Sequence, residues 1–330
     1  MAVNFKLFTL LSLFTIGSLA QSLLTVLRQE GFTEFAAFLE QPEGQNVLRS
    51  NRSLIVYAPT NAGFLRSRKS ATVLTREIDN RTAAIEYQMG VDSGGDILIK
   101  RHEPVCSTVG GPGAEDLMTL LDEPEFVNLP LGQNASIVQK NMPKGVLPVV
   151  HSGLGDVVKV TGLDIPYDHG LIRPVSGLFT LPRLLSITLP FLGADKTLSA
   201  LRRTGLIKDL DARTGITFLA PDDRSIPSDV SENMLAEILR RHVIVGLPVF
   251  TSDLKHGDTY KTLAGTTVTV TVQCADVFIG GARILAGDAI IKNGVVHTVD
   301  KVRYQLRQKP TPMLKFLSSW MHPSFSPQHK

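Results

Sequence analysis

The feature that most constrains this chain of 330 residues is that it repeats itself. The run Leu54-Ile55-Val56-Tyr57-Ala58-Pro59-Thr60-Asn61 returns as Ile216-Thr217-Phe218-Leu219-Ala220-Pro221-Asp222-Asp223. Each is a short apolar stretch stopped by proline and a polar cap, the pattern of a strand buried on both faces. Asp168-His169-Gly170-Leu171-Ile172 returns as Lys292-Asn293-Gly294-Val295-Val296, a tight turn entering a strand. Leu24–Phe32 lines up with Leu198–Leu206, each an amphipathic helix closed by a glycine, Gly31 or Gly205. Leu131–Val138 lines up with Ala264–Thr271, where Val268, Val270 and Val272 alternate with threonine as in a half-buried strand. Two copies of one unit are expected rather than one large core. Pro59 and Gly170 are 111 residues apart and Pro221 and Gly294 only 73, so the first copy carries surface insertions, one marked by Gly110-Gly111-Pro112-Gly113. The expected boundaries are 21–182, 183–305 and a tail over 306–330.

The first twenty residues set the compartment. Lys6, the apolar run Leu7–Ile16 and the small-residue stretch Gly17-Ser18-Leu19-Ala20 form a secretory signal peptide over residues 1–20, with cleavage before Gln21. The apolar run is about half of the ~20 residues that cross a bilayer. No other stretch approaches that length, and the tail, with Lys315, His322, Pro323 and Lys330, does not read as a lipid-anchor signal. Three N-glycosylation sequons, at Asn51, Asn80 and Asn134, gain weight from the secretory route. Lys plus Arg number 34 against 31 Asp plus Glu, so the chain carries no electrostatic footprint for nucleic acid. Two cysteines exclude a disulfide-dense scaffold or a multi-cysteine metal site.

The second copy carries three blocks in a fixed order: Thr217-Phe218-Leu219-Ala220-Pro221-Asp222, Arg241-His242-Val243-Ile244-Val245-Gly246 and Asn293-Gly294-Val295-Val296-His297-Thr298-Val299-Asp300. In that order they resemble the fasciclin (FAS1) domain, here as a tandem pair of the secreted, fungal type extending from Gln21 to Gln305. The first copy keeps Tyr57-Ala58-Pro59-Thr60-Asn61 but has Gln88 where the first motif histidine belongs and Arg173 where the closing strand offers its own. The resemblance implies an α+β fold, a mixed sheet packed against helices. It makes Pro59, Asn61, Pro221, Asp222, His242, Asn293, Gly294, His297 and Asp300 structural motif residues. The residues independently suggest α+β, because the helical stretch Ser231–Leu239, with Ser231 as N-cap, sits beside alternating strands without a βαβ rhythm. Some members of the family use a Tyr-His pair at the first motif for integrin-type adhesion. Here those positions read Arg241-His242 and Tyr87-Gln88, so that mode is not implied.

No catalytic constellation is legible: the chain has no Gly-x-Ser-x-Gly elbow, His-Glu-x-x-His, P-loop or Cys-x-x-Cys. His242 and His297 without a carboxylate or third ligand at a recognisable spacing read as histidines bonded to backbone rather than a metal pair. Adjacent Asp222 and Asp223 read as strand-end caps rather than paired acids. His151-Ser152-Gly153-Leu154-Gly155 reads as a loop. Cys106 and Cys274 fall one in each copy, either bridging the two or remaining separate thiols.

The expected protein is a secreted N-glycoprotein without cofactor or catalysis. It would bind cell-surface, cell-wall or matrix components through two linked domains, with weak self-association. Two alternatives stay open: a small-molecule carrier or secreted enzyme using an interdomain pocket, and a vacuolar or endomembrane protein reached by the same signal.

Overall fold

A computed structural model of the chain describes residues 21–50, 52–69, 80–91, 113–142, 145–274 and 276–302. The signal segment, Asn51, Cys106 and the tail lie outside the described residues. In the first half the elements are α1 (Leu23–Gln29), α2 (Thr33–Leu39), α3 (Gln45–Leu48), β1 (Leu54–Pro59), α4 (Asn61–Lys69), α5 (Arg81–Tyr87), β2 (Met89–Val91), β3 (Ala114–Met118), β4 (Ser136–Lys140), β5 (Val149–His151), β6 (Val157–Lys159), β7 (Ile165–Tyr167) and β8 (Gly170–Val175). In the second they are α6 (Leu185–Phe191), α7 (Asp195–Arg203), α8 (Leu206–Ala212), β9 (Ile216–Pro221), α9 (Glu232–Arg240), β10 (Val243–Val245), β11 (Thr259–Lys261), β12 (Thr267–Gln273), β13 (Asp276–Ile279), β14 (Ala282–Ile291) and β15 (Gly294–Val299). The fold is α+β.

The proline-stopped runs are the central strands. β1 lies parallel to β8, from Leu54 opposite Gly170 to Pro59 opposite Val175, and β9 lies parallel to β15, from Ile216 opposite Gly294 to Pro221 opposite Val299. Every residue of β1 and β9 is buried, because both faces are covered. Leu54, Val56 and Ala58 face the helices, while Ile55 and Tyr57 face the sheet β3-β4-β5-β6. In the second half Ile216, Phe218 and Ala220 face helices and Leu219 faces the opposite layer. A period of two along the strand places alternate residues in two different cores.

The sheets nearly close on themselves. In the first half β2-β1-β8-β7 and β3-β4-β5-β6 are joined by two bridges, Gly90 of β2 to Thr119 after β3 and Val160 after β6 to Val175 at the end of β8. In the second half one sheet runs β10-β9-β15-β14-β13-β12-β11, and the bridge Ile244 to Thr262 brings its two edges together. Closure of this kind leaves few exposed strand edges.

The structure corrects two registers expected from sequence. The helix counterparts are α1 with α6 and α2 with α7, not Leu24–Phe32 with Leu198–Leu206. Phe32 N–H donates to Leu27 O at 2.7 Å after Gly31, and Ala194 N–H donates to Leu189 O at 3.0 Å after Gly193. Both glycines have left-handed φ, +85° and +68°. Gly205 instead separates α7 from α8. The misreading has a physical source, since consecutive short amphipathic helices ending in glycine share one apolar spacing. Strand β4 matches β12 two residues away from the expected register. Thr119 and Thr262, equivalent by their bridges, donate to Ala135 O and Thr266 O, so Ala135 corresponds to Thr266. A slip of two keeps every side chain on its face, which is why the alternation alone did not resolve it.

Candidate functional site

The motif residues lie where strands and helices of the fold meet. Gly170 and Gly294 stand where β8 and β15 meet β1 and β9; a Cβ there would lie 1.9 Å from Leu54 O and 1.8 Å from Ile216 O. Asn61 and Asp223, just beyond the strand prolines, cap helices distant in sequence. Asn61 Oδ1 accepts from Glu34 N–H at 3.1 Å, and the two oxygens of Asp223 accept from Lys196 N–H at 2.9 Å and Thr197 N–H at 3.2 Å. Phe32 and Ala194, at the N-cap positions of α2 and α7, have no capping side chain of their own. Asp222 accepts from Arg224 N–H at 2.8 Å, a bond that holds its carboxyl below the usual range. The two adjacent carboxylates are therefore turned to different backbone groups. Asn293 donates to Leu210 O and Arg213 O, and Asp300 accepts from Arg283 N–H at 2.9 Å.

His242 and His297 each bond backbone. His242 is fully buried at the end of α9, with Nδ1 at 2.8 Å from Ile238 O. Its carbonyl accepts from Leu219 N–H, as the Gln88 carbonyl accepts from Tyr57 N–H. His297 lies opposite Leu219, as Arg173 lies opposite Tyr57, so Gln88 and Arg173 occupy the two histidine positions of the first half. Among the described residues no group of three His, Cys, Asp or Glu stands together as a metal-holding cluster.

The groups that His297 organises carry no local signal in the sequence. Asp288 N–H donates to His297 Nδ1 at 3.1 Å, and His297 Nε2 lies 2.8 Å from Val249 O. An accepting Nδ1 with a donating Nε2–H is the neutral imidazole. Burial pushes its pKa down, against the pull of the Asp288 carboxylate. Asp288 sits at φ +69°, which aims its buried carboxylate at Lys140 Nζ, 2.7 Å away on β4 of the first half. Thr251 N–H and its hydroxyl also donate to that carboxylate. Burial alone would raise the Asp288 carboxyl; His297, Lys140 and Thr251 outweigh it and hold the group below the usual range. His151 on β5 stands by the same pair, pushed down to about 4 by burial and then by the Lys140 charge, against the opposing pull of Asp288.

This ion pair is the centre of a junction between the halves. Val138 of β4 packs with Phe250, Ile290 and Val295. Ile290 N–H donates to Ser152 O at 3.2 Å and Asn128 N–H to Lys292 O at 2.7 Å. Asn128 also donates to Ala212 O and accepts from the Thr214 hydroxyl. Ser152, the residue of the elbow-like sequence, is fully buried, and its hydroxyl accepts from Thr180 N–H.

The first half has its own buried pair where the histidine is missing. Arg173, 2% exposed, donates from Nε and Nη2 to both oxygens of Asp164, at 2.7 and 2.6 Å, and from Nη1 to Gln139 Oε1. The guanidinium also lies 5.7 Å from the Tyr57 ring centre. The sequon residues Asn80 and Asn134 are half-buried, and each donates from Nδ2, to Glu123 Oε2 at 2.9 Å and to Thr119 O at 3.0 Å. Asn80 also caps α5 through Ala83 N–H. Cys274 is exposed in the turn after β12 at φ +53°.

Each half is thus a nearly closed set of strands flanked by short helices and centred on a proline-stopped parallel strand pair, an α+β unit. Residues 193–304 match the fasciclin domain family model. The second half of the chain thus carries a fasciclin (FAS1) domain. It is 27% identical over 195 residues to a fasciclin-like arabinogalactan protein of Cercospora beticola, covering 57% of this chain and 52% of the relative. A fasciclin-like arabinogalactan protein of Arthroderma benhamiae is 23% identical over 284 residues, covering 82% of this chain and 63% of the relative. The chain thus spans about half to two thirds of the length of these relatives. A solved FAS1 domain pair from the insect cell adhesion molecule Fasciclin I aligns over 84% of this chain and 97% of its own, at 14% identity and a TM-score of 0.37. Among the described residues no helix is long and apolar enough to cross a membrane.

Proposed function

We propose that the chain is a secreted, wall- or matrix-associated adhesion protein built from two fasciclin domains, residues 21–182 and 183–305, the first a diverged copy. The observation that carries this reading is how the conspicuous polar side chains are used. Asn61, Asp222, Asp223, His242, Asn293, His297 and Asp300 all bond backbone, and the pair of half-buried Lys140 with buried Asp288 joins the halves. Polar groups engaged in this way hold a shape; they do not converge on a reacting atom. A shape held across two units is suited to binding, and linkage of weak sites on one body raises avidity. The names of the fungal relatives, fasciclin-like arabinogalactan proteins, support a glycoprotein of the cell exterior. Signal-peptide cleavage before Gln21 and glycosylation at Asn51, Asn80 and Asn134 belong to the same proposal.

The test is co-sedimentation of the mature glycosylated protein with isolated cell walls and matrix polysaccharide from its own source. Saturable binding that weakens when Lys140→Met uncouples the halves is the expected result. Absence of binding to every surface fraction would overturn the adhesive reading.

A further inference from the structure

The two halves treat one groove differently, and the difference indicates what the open copy takes. In the second half the groove beside Leu192 and Ala289 is filled by the first half's β5–β6 turn, Leu154-Gly155. A Cβ on Gly155 would come 2.5 Å from Leu192 Cδ2 and 3.7 Å from Ala289 Cβ. Both turn residues are left-handed, with φ of +58° and +76°, and Ile290 N–H donating to Ser152 O pins the turn's entry. By the registers established above, Leu192 corresponds to Glu30 and Ala289 to Ile165. Those two residues line a groove of about 550 Å³ in the first half, with Phe32, Thr60, Thr161 and Leu163. Leu163 on its wall is 75% exposed, a large apolar side chain left in water.

We infer that this groove receives a glycine-bearing β-turn from a second copy of the chain, head to tail, repeating between molecules the contact that joins the halves within one. The second half carries the counterpart turn. Gly280-Gly281 links β13 to β14 as Leu154-Gly155 links β5 to β6, and both glycines are exposed and left-handed, at +56° and +82°. The charges are complementary. The groove offers the exposed carboxylate of Glu30, and the turn is followed at once by exposed Arg283, whose partner Asp276 stands 3.6 Å away on the surface. The intermolecular contact is weaker than the internal one for two stated reasons. Pro166 stands where Ile290 donates its N–H, and Gly280-Gly281 brings no counterpart of the Leu154 side chain. Donor turn and acceptor groove are different surfaces, so the association does not close at two copies. The inference rests on the two-domain reading above, and it is tested in solution without wall material, so its failure leaves wall binding untouched.

Analytical ultracentrifugation of the full mature chain from about 1 µM to about 1 mM reads the association directly. The expected result is reversible growth in mass with concentration, with no fixed stoichiometry, reduced by added salt. Glu30→Arg and Arg283→Glu each weaken it about fivefold, and the double variant recovers it. Leu163→Asp, at an exposed position that leaves folding intact, abolishes it. A monomer at every concentration overturns the inference, as does association that none of these variants changes.

Discussion

Asp288 serves two partners at once: its N–H donates to His297 Nδ1 at 3.1 Å, and its carboxylate receives Lys140 Nζ from the other half at 2.7 Å. The motif histidine thus fixes the backbone that carries the charge paired between the halves. Removing the cation leaves a fully buried carboxylate without its counter-charge. Lys140→Met is expected to cost about 3 kcal/mol, and Asp288→Asn less, because asparagine tolerates left-handed φ and is neutral. A double-mutant cycle by urea denaturation checks this; a coupling near zero between the two sites would sink it.

The same junction sets an acid limit. His151 and His297 both have pKa values below the ordinary 6.5, His151 at about 4. A depressed histidine contributes stability that is present above 6.5 and is lost as pH falls toward the folded-state value. Unfolding free energy should therefore decline between pH 6.5 and about 4, by about 2 kcal/mol from His151. His151→Gln should flatten that decline, measured as urea midpoints at pH 7, 5.5 and 4.5.

Glu86 predicts the opposite slope. Burial first, then the charges of Asp122 and Glu123, raise its pKa from 4.5 to about 7. A raised carboxyl contributes stability that is full below 4.5 and is lost as pH rises through about 7. Glu86→Gln should then stabilise the protein at pH 8 and leave it unchanged at pH 4.5. Because the side chain is only partly buried, solvent screening cuts the expected gain to about 1 kcal/mol. Equal effects at both pH values would refute the assignment.

The caps offer a test of the corrected helix register. Asn61 and Asp223 serve α2 and α7, so Asn61→Ala and Asp223→Ala should each cost about 1 kcal/mol. Hydrogen exchange should quicken at Glu34 in the first variant and at Lys196 and Thr197 in the second. Faster exchange at Ser22 or Thr25 instead would restore the register read from sequence.

What was legible follows from the range of the forces involved. The central strands could be read because Pro59, Pro221, Gly170 and Gly294 punctuate fully apolar runs, a local signal. The absence of the motif histidine at Arg173 and Gln88 was visible because the flanking residues held the frame. The helix register was not legible, since it is decided by bonds from Asn61 and Asp223 to distant helices. Lys140, Asp288 and the Asp164 carboxylate that meets Arg173 escaped notice for the same reason. Each looks like an ordinary charged residue, and only the chain's return brings its partner within reach.

Gly294 and Gly193 separate two reasons for a glycine. A Cβ on Gly294 would lie 1.8 Å from Ile216 O, a backbone atom held by the β9–β15 ladder, so nothing flexible can give way. Gly193, at φ +68°, has nothing within 4 Å of an added Cβ. Gly193→Ala is then expected to cost only the left-handed penalty of about 1 kcal/mol. Gly294→Ala should cost more than about 3 kcal/mol and deplete the folded protein, because the parallel strand pair must separate to admit it. Thermal unfolding of the two variants side by side decides the matter. Equal losses would mean that backbone conformation, not the close approach of the two central strands, is what demands glycine at the motif.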